Sequence, residues 1–202
     1  MPGAEDYNIY DEHHEELLGF LADELAGCER VLEFGCGDCE LSVTLARKLR
    51  VPVLGIDLGD GGFTEAFHLA RRRRVKRLVD CRKADAERLD SLPDGSFSCA
   101  VSKWVLHELD HPVRALREIR RVLAPGGLLL CCDFTRDSQA AGLWGERYYT
   151  PRQAAALFRR AGFAHVSVRT ILEGHAMLVQ GRRPRRRLAS AGQSQRTASS
   201  SW

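Results

Sequence analysis

The chain has 202 residues, 44% hydrophobic and 28% charged, a composition that fits one soluble globular domain with a full core. Its net charge of +3 rests on six arginines after residue 181, where no acid occurs; without them the remainder carries −3, which argues against a basic nucleic-acid-binding face. No apolar run is long enough to span a bilayer, and no signal-peptide pattern opens the chain, so no membrane span and a cytoplasmic location are expected.

Residues 1–9 read as a flexible N-terminus, 10–181 as a single domain, and 182–202 as a disordered Arg/Ser-rich tail. Contact of that tail with nucleic acid is not favoured over simple solvation. From Tyr10 to Ala26, Leu17, Leu18, Leu21 and Leu25 recur at helical spacing and predict an amphipathic helix. Val31, Leu32 and Phe34 form a short apolar run, as in a buried strand. Gly35 and Gly37 then allow a sharp turn, and Leu41 to Leu49 reads as a helix packing back on the strand. Val51 to Asp57 predicts a second buried strand ending on a carboxylate. A helix follows from about Thr64 to Arg74, its basic end Arg71–Arg77 facing solvent.

Val79 to Ala84 fits a third strand and Phe97 to Val101 a fourth, with the Leu92–Gly95 turn between them. Pro112 opens a helix striped by Val113, Leu116, Ile119 and Leu123, which Pro125-Gly126-Gly127 stops. Leu128 to Phe134 predicts a fifth strand, and residues 135–149 a long loop. Thr150-Pro151-Arg152-Gln153 is a capping box opening a helix to about Ala161. Val166 to Ile171 and Ala176 to Gln180 then read as a hairpin about Glu173-Gly174. The alternation predicts an α/β fold: a doubly wound, Rossmann-like, mostly parallel seven-stranded sheet with the last strand antiparallel.

Seven cysteines, five of them in or beside apolar runs, predict reduced buried thiols. Cys36 and Cys39 have C-x-x-C spacing, but no second such pair accompanies them, and no metal site is expected.

A strand, a glycine turn and a helix start make a concave site where backbone N–H groups meet a nucleotide-like ligand, and Glu33 faces the same space. The dinucleotide fingerprint G-x-G-x-x-G, begun at Gly35, fails because Glu40 stands at its third glycine. With its flanks, however, E-x-G-x-G resembles the first motif of class I S-adenosylmethionine-dependent methyltransferases. L-G-I-D at Asp57 is similar to the second motif and K-A-D-A at Asp85 to the third. F-S-C-A-V-S-K-W-V-L-H-E-L is similar to the fourth, and L-R-E-I-R-R-V-L-A-P-G-G-L-L-L to the segment entering the fifth strand. The ordered set, over roughly residues 10–180, most resembles the small "type 11" methyltransferase domain. Cys39 departs from it, standing where the family usually has a further glycine.

The resemblance implies S-adenosylmethionine as cofactor, held by Glu33, Gly35, Cys36, Gly37, Asp57, Leu58, Asp85, Ala86, Ser102 and Lys103. In it Asp57 takes the ribose hydroxyls, Asp85 the adenine amino group and Glu33 the ammonium. Read from the residues alone, Asp57 also suits a helix cap and Asp85 a local backbone bond. The implied reaction is in-line methyl transfer to a small-molecule acceptor, for which the protein supplies mainly proximity, orientation and water exclusion. A protein side chain as acceptor, or a silent cofactor-binding regulatory partner, is the alternative. His107 is the side chain suited to base catalysis near neutrality, or else a packed histidine ordering its turn. Ser102, Lys103, Trp104, Asp133, Phe134 and Thr135 follow the fourth and fifth strands. Tyr10, Trp144, Tyr148 and Tyr149 are lid candidates, so Tyr10, Trp104, Phe134 and Tyr148 are the candidate acceptor contacts.

Overall fold

A strand buried on both faces needs helices on both sides, and the computed structural model, which describes residues 13–138 and 145–185, has that arrangement. The elements run α1 (His14–Glu24), β1 (Val31–Phe34), α2 (Glu40–Leu49), β2 (Val53–Asp57), α3 (Phe63–Arg72), β3 (Val79–Lys83) and β4 (Phe97–Lys103). They continue with α4 (Pro112–Val122), β5 (Leu123–Phe134), α5 (Pro151–Arg160), β6 (Ala164–Ile171) and β7 (Ala176–Arg182). The seven strands form one sheet in the order β3-β2-β1-β4-β5-β7-β6. All neighbours pair in parallel except β7, which runs antiparallel to both β5 and β6.

Side-chain alternation divides the core into two layers. Val31, Val53, Val101 and Leu130 meet Leu17, Leu21, Leu41, Leu45 and Ala66 on the face of α1, α2 and α3. Leu32, Phe34, Ile56, Ala100 and Leu129 meet Leu116, Ile119, Ala154 and Phe158 on the face of α4 and α5. The chain leaves β1 for β2 and β3 on one side, then crosses to β4 on the other. The carboxyl ends of β1 and β4 therefore flank a topological switch point, where open α/β sheets place their ligand crevice.

Among the boundaries that differ from expectation, three have traceable reasons. β4 runs on through Ser102 and Lys103 because these pair with Cys131 and Cys132 of β5. β5 begins at Leu123 rather than Leu128: Leu123 already has extended backbone and pairs with Phe97 ahead of a register shift. Of the expected tail, Arg182 ends β7, and Arg183 donates to the carbonyls of Arg121 and Leu123. Residues 1–12, Trp144 and the chain beyond 185 lie outside the described residues, and Tyr10 with them.

The cysteines also differ from the expected free thiols. Cys28 pairs with Cys99, their Cα atoms 6.0 Å apart, and Cys39 with Cys81 at 7.0 Å; Cys36, Cys131 and Cys132 are free and buried. Folding brings these residues together across elements: Cys99 is in register with Val31, just after Cys28, while Cys81 is in register with Gly55, over which Cys36 packs.

The capping box of α5 forms as its sequence requires. Gln153 N donates to Thr150 Oγ1 at 3.3 Å, and Thr150 N donates to Gln153 Oε1 at 3.0 Å. Thr150→Ala removes the cap and lowers stability by about 1 kcal/mol, which thermal unfolding registers as a drop of roughly 2–4 °C for a domain this size.

Candidate functional site

Beyond the carboxyl edge of β1, β2 and β4 lies a cavity of about 300 Å³, bounded by Gly35, Asp57, Leu58, Asp85 and Ala86. The segment after β4 closes it with Val105, Glu108 and Leu109, then Asp110 and His111. Gly35 makes the approach feasible. Its φ is +65°, and a Cβ there would lie 2.2 Å from a Val105 methyl.

Asp57 ends β2 at the cavity wall, and both its oxygens accept backbone N–H groups: Oδ2 from Gly37 at 2.8 Å, Oδ1 from Gly59 at 2.9 Å. It ties the glycine turn to the second strand while keeping lone pairs for a ligand's hydroxyls. Asp85 spends Oδ1 on the Glu87 N–H at 2.8 Å, the local bond its loop position suggested. Leu58, 70% exposed, lies beside Asp57 with its side chain available to cover a flat ring.

Other expected cofactor residues lie deeper. Glu33 is 2% exposed and accepts the Ser42 hydroxyl at 2.5 Å. Alternation along β1 turns it toward α2, beneath the turn and not into this cavity. Burial pushes its carboxyl up to about 8, against the pull of the Ser42 hydrogen bond and the Lys103 charge. Cys36 is buried, with its sulfur 3.2 Å from that of Cys39. Cys39 takes up left-handed backbone (φ 58°) and is fully buried, so its side chain does not enter the cavity. Ser102 is buried inside β4, and Lys103 ends the strand half-buried.

A second group of side chains stands at the carboxyl ends of β4 and β5. Trp104, the first residue past β4, has φ 60°, a conformation that costs a non-glycine residue about 1–2 kcal/mol. Its ring stacks on Phe134, centroids 3.9 Å apart and planes 3° apart. Tyr148 meets Phe134 edge-on and lies 4.5 Å from the His107 ring, so three of the four expected acceptor contacts converge here.

His107 is held from both sides. Its Nδ1 lies 2.6 Å from Asp133 Oδ1, and its backbone N–H donates to Asp133 Oδ2 at 2.9 Å. Asp133 is fully buried, and its Oδ1 also accepts the Phe134 N–H. Nε2 of His107 faces Glu146 Oε2 at 3.1 Å, and Tyr148 donates its hydroxyl to the same oxygen at 2.8 Å. Burial disfavours the charged ring, but the Asp133 hydrogen bond and charge, helped by Glu108 and Glu146, outweigh it and hold the imidazole above its ordinary range. A ring fixed at Nδ1 by a buried carboxylate presents Nε2 as a proton acceptor.

Glu146 escaped the sequence reading because the long loop offers no periodicity to place it. Glu108 and Leu109 belonged to the quoted V-L-H-E-L run, but the run does not say which of its side chains turn to the cavity.

Residues 32–131 match the family described as methyltransferase domain. The 27-O-demethylrifamycin SV methyltransferase of Amycolatopsis mediterranei is 33% identical over 135 residues, 64% of this chain and 49% of that protein. The demethylmenaquinone methyltransferase of Lactiplantibacillus plantarum is 30% identical over 145 residues, 70% of this chain and 59% of that protein. The chain thus spans about half to three-fifths of the length of these relatives. Among solved structures, the [4+2]-cyclase SpnF superposes with a TM-score of 0.74 at 24% identity, covering 84% of this chain and 80% of that one. It bears on the fold alone. Among the described residues no helix is long and apolar enough to cross a membrane, and no group of three or more His, Cys, Asp or Glu side chains is arranged to hold a metal ion.

Proposed function

We propose that this chain, whose residues 32–131 belong to the methyltransferase-domain family, transfers a methyl group from S-adenosylmethionine to a hydroxyl of a small-molecule acceptor. The observation that carries the reading is the cavity at the switch point, where Gly35, Asp57 and Asp85 line one wall. The donor chemistry fits the cofactor. Asp57 keeps free lone pairs for the vicinal ribose hydroxyls, Asp85 keeps Oδ2 for the adenine amino group, and Leu58 covers the base. Glu33, in this reading, steadies the first turn of α2 through Ser42.

The cofactor supplies a methyl group on a sulfonium, already bearing an excellent leaving group. The protein therefore contributes alignment, exclusion of water and removal of the acceptor's proton. His107 Nε2 takes that proton when Glu146 yields its place to the acceptor hydroxyl, and Asp133 stabilises the imidazolium that forms. Trp104, Phe134 and Tyr148 wall the reacting atoms from solvent. The relatives named for rifamycin and menaquinone precursors support a small molecule over a protein side chain.

Incubating the full chain with methyl-labelled S-adenosylmethionine and cell extract tests the reading. Label recovered in low-molecular-mass products supports it. Label recovered only in protein, or no transfer alongside firm cofactor binding, would replace it with the side-chain or regulatory alternative.

A further inference from the structure

A second cavity, of about 340 Å³, opens between α1 and the β6–β7 hairpin. Leu17 and Phe20 of α1 form one wall and Ile171 and Leu172 the other; His13 and Glu16, 3.0 Å from each other, stand at its rim. Its size falls at the lower end of the range for small-molecule sites.

Strand register fixes where this groove lies. Ile171 pairs with Ala176, and Ala176 pairs with Phe134, the last residue of β5. The groove therefore lies toward the carboxyl edge of the sheet, the edge at which Phe134 ends β5 and stacks on Trp104. Two contacts on opposite sides hold α1 across that edge. His14 Nε2 lies 2.7 Å from Glu40 at the start of α2, and Arg169 of β6 pairs with Glu24 while covering the Phe20 ring at 5.0 Å. Phe20, Trp104 and Ile171 all pack against the same core layer, so the groove and the Trp104 ring border the same face of the sheet.

We propose that this groove seats the apolar body of the acceptor, and that the acceptor is a hydroxylated aromatic or polycyclic compound whose hydroxyl reaches His107. The proposal rests on the methyltransferase reading and narrows its substrate class. A polar metabolite gains nothing from four apolar side chains, whereas a ring system releases the water that otherwise covers them.

The test titrates the full chain, saturated with S-adenosylhomocysteine, with 2-naphthol followed by its fluorescence. Saturable binding is expected, weakened about tenfold or more by Phe20→Ala or Ile171→Ala, as loss of a buried apolar contact implies. Phe20→Leu retains binding, and affinity for S-adenosylhomocysteine is unchanged in all three. Absence of saturable 2-naphthol binding, or equal binding by wild type and both alanine variants, overturns the proposal. So does a dimer that Phe20→Ala dissociates without change in 2-naphthol binding, since the groove then belongs to a second copy. Failure of wild type to bind S-adenosylhomocysteine overturns instead the methyltransferase reading, and 2-naphthol still judges the groove.

Discussion

Replacing His107 with alanine lowers kcat toward a hydroxyl acceptor by about 10²–10⁴-fold, the contribution of a positioned general base, and leaves cofactor affinity unchanged. The geometry separates the two effects: His107 lies against Asp133, Glu146 and Tyr148 and does not line the cavity bounded by Gly35, Asp57 and Asp85. The pH profile carries more information than the loss itself. Asp133 holds the imidazole above its ordinary range, so the neutral, proton-accepting ring accumulates only as pH rises through that raised value. Activity should climb with pH through a midpoint above the unperturbed value. Asp133→Asn should both slow the reaction and move the midpoint down. The stability linkage has the opposite course: the folded state's preference for the charged ring is fully present below the unperturbed value and is lost as pH rises through the raised one. A purely structural His107 would move stability in His107→Ala and Asp133→Asn but leave the activity profile in place.

The second large effect concerns the glycine turn. Gly35→Ala should lower stability by about 2–5 kcal/mol, from about 1–2 for the left-handed backbone and about 1–3 for forcing a Cβ into Val105. Thermal unfolding should register this as a loss of roughly 5–20 °C. Gly37→Ala is the internal comparison. It shares the left-handed φ, 49° against 65°, but its added Cβ meets no atom within 4 Å. It should cost only the backbone part. Equal destabilisation of the two variants would mean that close packing against Val105 contributes nothing.

Local pattern was enough for much of the fold. The apolar run of β1, the carboxylate ending β2 and the Thr150–Gln153 box each dictate their structure within a few residues, and the helix-free hairpin announces the antiparallel strand. The residues that misled were those whose position depends on a partner strand. Ser102 and Lys103 looked like residues beyond the sheet until pairing with Cys131 and Cys132 drew them into it. Glu33 stays a candidate for the cofactor's ammonium; its bond to Ser42 was not legible because it depends on where α2 packs. Cys28 and Cys99 are 71 residues apart, a separation across which no spacing rule operates. For the site, Asp57 and Asp85 were legible because a motif fixes each relative to its strand. The union of His107 with Asp133 was not, since it depends on the β4–β5 register and on a turn in which Trp104 adopts left-handed backbone. Glu146 comes from a loop with no periodic signal at all.

The most direct test of the central claim is a calorimetric titration of the full chain with S-adenosylmethionine, repeated with Asp57→Ala. Asp57 bonds the glycine turn and faces the cavity, so its loss should weaken binding by about 1.5–3 kcal/mol, the range for hydrogen bonds to a charged group. Saturable binding by wild type, weakened to that extent in the variant, is the predicted result. No binding by wild type, or identical affinity in wild type and Asp57→Ala, would contradict the assignment of this cavity to the cofactor.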